Sequence, residues 1–216
     1  MTALLRYQGA LLLRSQRWIA PLVVYAAFVA AGIRPGDPVL DSLGFAAAGL
    51  VPQTAWLVRI CVTNEPDAAR DCTAAAAGPV RVHAAALLVA LTGALLAGTA
   101  GGAVALLLGD PAQLDPARVA LAGGLAVAAC ALTGAAVGAL CSRPLVRRRG
   151  YAVLAGGLGS LLAWVLVGSP ARGAVSALVG AARSGGVPLP LPALAGGLLL
   201  AAGAGALACL VAARRG

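Results

Sequence analysis

Long stretches without a charged residue constrain this chain more than any other feature. An α-helix needs about 20 mostly apolar residues to cross the ~30 Å hydrocarbon core of a bilayer. Four stretches meet that requirement without a charge: Ala84 to Leu108, Val119 to Cys141, Tyr151 to Gly168 and Leu189 to Ala213. Two further apolar stretches, Trp18 to Ile33 and Val39 to Arg59, are bounded or interrupted by charged residues. The sequence therefore predicts an all-α integral membrane protein with six transmembrane helices.

The overall composition excludes a water-soluble fold. Of the 216 residues, 61% are hydrophobic and only 11% are charged, whereas soluble domains carry about a quarter charged residues. We expect residues 1–216 to form a single transmembrane domain. The 29 glycines favour close helix packing in lipid, although codon usage in a GC-rich genome would also enrich glycine. Gly134 and Gly138, four residues apart, form a candidate face for helix packing or dimer formation.

The distribution of arginine predicts the orientation. All sixteen basic residues are arginines, and the net charge is +9. Twelve fall on one side of the predicted spans and four on the other, the four being Arg34, Arg118, Arg172 and Arg183. Because cytoplasmic loops carry the excess of arginine and lysine, we expect both termini in the cytoplasm and the protein in the inner (plasma) membrane. The arginines lie in short clusters between apolar stretches, so a nucleic-acid partner is not expected.

Three segments outside the spans are predicted to be helical. Residues 3 to 17 place Arg6, Arg14 and Arg17 on one face and apolar residues on the other, as an amphipathic interfacial helix does; an extension of the first span into water is the alternative. Between the second and third spans, a helix from Glu65 to Ala77 is expected, with Asn64 as N-cap and Asp67 as its capping-box partner. Apolar residues at helical spacing from Ala171 to Ala182 predict a short helix before the sixth span, embedded in the outer interface or re-entering it.

The residue types exclude several kinds of chemistry. The chain has no lysine, which a Walker A phosphate site requires. Its five cysteines show no Cys-x-x-Cys spacing and its one histidine is His83, so neither a zinc site nor another cofactor is expected. The predicted spans carry no ionisable residue near their centres, where ion-coupled transporters keep one. Energy for any transport would then have to come from a partner protein.

The order of these elements resembles the membrane (permease) subunit of bacterial ABC-2 type ABC transporters, along the whole chain. The segment from Trp56 to Arg81, WLVRICVTNEPDAARDCTAAAAGPVR, looks like the second span and coupling helix of that family. The resemblance implies export of a substrate, pairing with a second permease as a homodimer or heterodimer, and a separate ATP-binding cassette subunit. That subunit would contact the coupling helix at Glu65, Pro66, Asp67, Arg70 and Asp71. Capping and solvation of the helix are the alternative role for its acidic residues.

Two other functions remain open from the sequence. A polytopic membrane anchor or assembly protein without transport activity would show the same apolar spans and arginine distribution. A membrane enzyme is the other alternative. An intramembrane protease, however, needs a serine and histidine together, or two aspartates, within the bilayer, and the predicted spans contain neither arrangement.

Overall fold

The computed structural model describes residues 1–110, 114–143, 145–146, 148–184 and 186–215. Within these residues the chain forms α-helices and no β-strand. The helices are α1 (Thr2–Ser15), α2 (Ile19–Gly32), α3 (Val39–Thr63), α4 (Asp67–Ala77), α5 (Pro79–Leu108), α6 (Pro116–Cys141), α7 (Arg149–Val165), α8 (Pro170–Ser184) and α9 (Leu191–Arg215). The prediction of an all-α protein is confirmed.

Four helices, α3, α5, α6 and α9, are long and apolar enough to cross a membrane. Helices α7 and α8 meet that requirement only together, as a pair bent by 45°, which raises the number of candidate spans to five. Helix α2 has 14 residues, about 21 Å at 1.5 Å per residue, and is shorter than the hydrocarbon core. Length and composition therefore indicate a multi-pass membrane protein with four or five spans among the described residues. The sixth predicted span stays a prediction.

Helix α3 lies at the centre of the bundle, where it packs mainly on α5 and α6. Leu50, Val51 and Val58 have no exposed surface. Glycines on the neighbouring helices make this packing close: a Cβ atom on Gly98 would lie 2.6 Å from the Leu50 side chain. Small residues at helix contacts increase dispersion attraction, which stabilises helix pairs in lipid.

Large apolar side chains are exposed on the outside of this bundle. Leu107 is 83% exposed, Leu199 76% and Leu154 71%. These residues lie on α5, α9 and α7. Apolar surface of this kind is costly in water and stable in hydrocarbon, as the composition predicted.

The bundle has two distinct ends. At one end the backbone N–H of Gly36 donates to the Leu108 carbonyl at 3.0 Å, and that of Val39 to the Asp110 carbonyl at 3.1 Å. At the other end, Cys209 of α9 contacts the Val80 carbonyl at the start of α5, directly after α4. Helix α1 also lies at this second end, which we call the α4 end. The first helix and the last turns of α9 are thus on the same end of the bundle.

Two predicted helices outside the spans are confirmed as helices. The first, α1, ends at Ser15 because Gln16 adopts a left-handed conformation with φ 54°. The second, α8, turns its apolar face inward: Ala171, Ala174 and Leu178 have no exposed surface. Leu178 packs on α3 at Gly44. Much of the face that was predicted to lie in the lipid interface therefore contacts protein.

Candidate functional site

The segment between α3 and α5 forms a short helix between two sharp turns. Helix α4 begins after Pro66, whose φ of −57° is fixed by its ring. It ends at Gly78, which has a φ of 87°, a conformation that suits glycine. Pro79 then begins α5 at the position where a missing N–H costs nothing. A proline and a glycine thus separate α4 from the long helices on either side.

The predicted cap of this helix is wrong. Asn64 ends α3 in a helical conformation and α4 begins three residues later, at Asp67, with no side-chain cap. The side-chain amide of Asn64 donates instead to the Leu11 carbonyl of α1 at 3.0 Å. A tertiary hydrogen bond to α1 has therefore replaced the local capping interaction that the spacing suggested.

Glu65 joins α1 to α4. Its side chain is buried, with 7% exposure, and its carboxylate accepts from the Tyr7 hydroxyl at 2.9 Å. The Thr73 hydroxyl of α4 donates to it at 3.1 Å and the Gln8 amide at 3.4 Å. A buried carboxylate is stable only when such donors replace water. The Glu65 carboxylate therefore acts as an internal link among three segments of the chain.

The contact with Glu65 also alters the acidity of Tyr7. Donation of its hydrogen bond to the carboxylate favours the protonated phenol. This hydrogen bond raises the pKa of Tyr7 above its usual value of 10.0; desolvation and the charge of Glu65 act in the same direction.

Two arginines hold α4 from other directions. The Arg70 guanidinium donates to the Val62 carbonyl in the last turn of α3 at 3.1 Å. The Arg143 guanidinium, beyond the end of α6, pairs with the Asp67 carboxylate at 3.0 Å. That pair is largely exposed, so its contribution to stability is small. Together with Glu65, these contacts tie α4 to α1, α3 and the end of α6.

The opposite face of α4 is open to solvent. Asp67 and Asp71 lie four residues apart on this face, beside Ala68, Cys72 and Ala75, and all five are exposed. None of the helix's residues is buried. The face thus combines two acidic groups with small side chains.

The structure separates the predicted site residues into two groups. Pro66, Asp67 and Asp71 are exposed, although Asp67 also pairs with Arg143, whereas Glu65 is buried and Arg70 half-buried, and both bond within the chain. The two glycines, Gly134 and Gly138, are elsewhere: both are buried where α6 packs on α3. A Cβ atom would lie 2.5 Å from the Val51 carbonyl oxygen at Gly134 and 2.7 Å from the Val58 Cβ at Gly138. Their close contacts are thus within the chain.

Sequence reasoning missed Tyr7, Gln8 and Arg143 as parts of this site. Gln8 carried the clearest signal, because its spacing from Leu4 and Leu12 places it on the apolar face of α1. A polar side chain on an apolar face usually has a buried partner. Nothing local indicated that the partner is Glu65, 57 residues along the chain.

Among the described residues, no group of three or more histidine, cysteine, aspartate or glutamate side chains is arranged to hold a metal ion. His83 is buried, and both of its ring nitrogens lack a hydrogen-bond partner. A single imidazole does not make a metal site.

Comparison of the chain with family models, curated proteins and solved structures gives no match. The resemblance to ABC-2 permeases therefore rests on the predicted order of the helices and not on a matching sequence or structure.

Proposed function

We propose that this chain is the permease subunit of an ABC-2 type exporter and is coupled to a separate ATP-binding subunit through α4. The observation that carries the proposal is the short, solvent-exposed helix held at the end of the central helix α3 by Glu65, Arg70 and Asp67. A force applied to α4 would reach α1, α3 and α6 through these contacts. A coupling element needs such connections to transmit the work of ATP hydrolysis.

The proposal includes six spans, with α2 and the bent α7–α8 pair each counted as one. The short α2 would cross if the bilayer thins locally and Arg17 and Arg34 extend to the headgroups. The α4 end would then be cytoplasmic, because twelve of the sixteen arginines belong to that side by the predicted topology. Both chain termini would lie there, in the inner membrane.

The residue types of the long helices favour a partner protein that supplies the energy for transport. The long helices carry no acidic or basic group near their middle, so ion-coupled transport lacks its usual residue. The absence of lysine excludes a Walker A site in this sequence. ATP hydrolysis by another subunit, with two permease copies forming the pathway, would supply the work.

Co-expression with the ATP-binding cassette subunit encoded nearest this gene tests the proposal. Ala68→Trp with Asp71→Arg would alter the exposed face of α4 and leave the contacts of Glu65, Asp67 and Arg70 described above in place. We expect this variant to lose co-purification of the ATPase, or stimulation of its activity. Ala120→Trp, an exposed position near the start of α6 and far from α4, is the matched control.

Membrane insertion and thermal unfolding of both variants must equal those of the wild type for the comparison to hold. If the α4 variant then retains full ATPase binding and stimulation, α4 is not the coupling contact. If the wild-type chain itself binds no ATPase, the anchor or assembly function replaces the transport proposal.

A further inference from the structure

Two cavities adjoin each other at the α4 end of the bundle. The first has a volume of about 590 Å³ and is lined by the end of α3, the start of α4 and the end of α6. The second, about 420 Å³, runs between α3, α6 and α7. They share the lining residues Trp56, Arg59, Ser142 and Ala152. Both volumes fall within the range of ligand pockets, and the shared residues make the two spaces contiguous.

The first cavity is positively charged. Among the residues that the structure describes, its charged lining residues are Arg17, Arg59, Arg70, Arg143, Glu65 and Asp67. Four cations and two anions leave a formal excess of two positive charges. Both acids already have partners within the chain, since Asp67 pairs with Arg143 and Glu65 accepts from Tyr7. A ligand here would therefore be an anion, and guanidinium groups match the geometry of phosphate oxygens.

The second cavity is mainly apolar. Pro52 and Ala55 line it from α3, and Gly156 and Gly157 from α7. The two glycines leave room, because a Cβ atom on either would meet no other atom within 4 Å. From Arg59 to Pro52 the groove follows about 10 Å of α3 at 1.5 Å per residue. This length corresponds to about a third of the hydrocarbon core.

The groove adjoins the apolar outer surface of the bundle. Leu154 is 71% exposed and Leu158 62%, one turn or less from the two glycines on α7. Trp56, 42% exposed, lines both cavities where the charged space meets the apolar one. Tryptophan prefers such a boundary because its ring is apolar and its N–H is polar.

We propose that these cavities bind one anionic phospholipid, with the phosphate among the arginines and an acyl chain in the groove along α7. A soluble phosphate compound would use only the charged cavity. A zwitterionic lipid would bring no net charge to balance the excess positive charge. The inference rests on the two cavities and is independent of the proposed transport function.

Fluorescence quenching of Trp56 tests this site. The full-length chain with Trp18→Phe and Trp164→Phe leaves Trp56 as its one tryptophan. It is reconstituted into phosphatidylcholine vesicles that contain a small fraction of acyl-brominated phosphatidylglycerol or acyl-brominated phosphatidylcholine. We expect stronger quenching by the anionic lipid at equal mole fraction. Equal quenching by the two lipids would overturn the proposal.

Charge variants distinguish lipid binding in the cavity from general electrostatic attraction between the protein surface and anionic lipids. Arg17→Gln with Arg59→Gln should lower the apparent affinity for the anionic lipid by about 25-fold, since each arginine near an anionic lipid contributes about a factor of five. Arg6→Gln with Arg14→Gln removes the same charge from exposed positions on α1 outside the cavity. This pair should change the affinity for the anionic lipid little. Equal effects of the two pairs would show that only surface charge is involved and would contradict the site.

A groove variant tests the acyl chain. Gly156→Leu fills the apolar cavity without meeting protein atoms near its Cβ, and it should reduce quenching by the brominated chain at least several-fold. Gly203→Leu on α9, which also has open space around its Cβ, is the matched control. Unchanged quenching in Gly156→Leu would overturn the assignment of the groove.

Competition identifies the source of the phosphate. Unbrominated phosphatidylglycerol should displace the brominated lipid, whereas glycerol phosphate at the same concentration should not. If glycerol phosphate displaces the brominated lipid, the site is a pocket for soluble anions and the lipid proposal fails. If Gly156→Leu changes the oligomeric state and not the lipid preference, a second copy of the chain covers the groove, and the lipid proposal fails.

Discussion

The Tyr7 hydroxyl of α1 donates a 2.9 Å hydrogen bond to the Glu65 carboxylate, 58 residues along the chain. The same carboxylate accepts from Thr73 of α4. One buried acid therefore links the first helix of the chain to the exposed helix proposed to meet the ATPase. Displacement of α4 would change the hydrogen bonding of α1, and the reverse also holds.

Removal of the Tyr7 hydroxyl should destabilise the protein modestly. Tyr7→Phe deletes one donor to Glu65 and keeps the ring, and we expect a loss of about 1 kcal/mol in the free energy of unfolding. Reversible denaturant unfolding in detergent micelles gives the difference. Tyr151→Phe, at a residue 62% exposed, is the control and should leave stability unchanged. A Tyr7→Phe variant as stable as this control would show that the hydrogen bond contributes nothing measurable.

Stability should also depend on alkaline pH through Tyr7. The pKa of Tyr7 is raised in the folded protein, so the folded state retains a proton that the unfolded state loses above about pH 10. This contribution is complete below the unfolded pKa and is lost as the pH rises through the folded pKa. Unfolding midpoints measured across the alkaline range should fall more steeply for the wild type than for Tyr7→Phe. Parallel curves would contradict the raised pKa.

The contact of α6 with α3 should not tolerate a methyl group at Gly134. A Cβ there would lie 2.5 Å from the Val51 carbonyl oxygen and 2.8 Å from the Thr54 Cβ, so backbone must move. Gly134→Ala should destabilise the protein by about 1–3 kcal/mol. Gly124→Ala on the same helix, where nothing lies within 4 Å, should be neutral or slightly stabilising, because alanine favours a helix. Thermal unfolding of both variants in the same detergent measures this difference in stability. Equal stability of Gly134→Ala and Gly124→Ala would contradict the close contact at Gly134.

The proposed orientation predicts which cysteines an impermeant thiol reagent reaches. Cys72 on α4 is exposed and should react only from the cytoplasmic side. Pro35→Cys, at the other end of the bundle, should react from outside. Pro35 is the better position than its neighbour Gly36, whose φ of 89° disfavours any other residue. The other native cysteines are replaced beforehand, and labelling of intact cells is compared with labelling of inverted vesicles. Labelling of Cys72 in intact cells would reverse the orientation.

Local patterns predicted most helices but not their connections. Apolar stretches indicated where the long helices lie, because segments of this length and composition form helices in lipid, whereas α4 begins after Pro66, two residues later than its predicted start at Glu65. The fifth apolar stretch was predicted to end at Gly168, before a separate helix, and φ at Gly168 is 95°. That α7 is long enough for a span only together with α8, across a bend of 45°, was not predicted.

The residues of the candidate site likewise include features that the sequence predicted and features that it did not. The resemblance implied Glu65, Asp67 and Asp71 together as contacts of a partner, and the structure exposes the two aspartates but buries Glu65. The burial of Glu65 was not predicted, because its donors Tyr7 and Gln8 come from a distant helix. Asn64 shows the conflict directly: its local capping role was displaced by a bond to Leu11.

The sequence by itself determined that this protein is apolar enough for a membrane, since only 11% of its residues are charged. It also determined that the chain is helical, because backbone polar groups within lipid must be hydrogen-bonded inside the protein, as they are in a helix. The tertiary structure alone decided that α3 lies at the centre, that Gly134 and Gly138 pack against it, and that Glu65 is buried. Those outcomes depend on which helix faces meet. Contacts between residues far apart in the chain select among many pairings of similarly apolar faces, and no local preference encodes that selection.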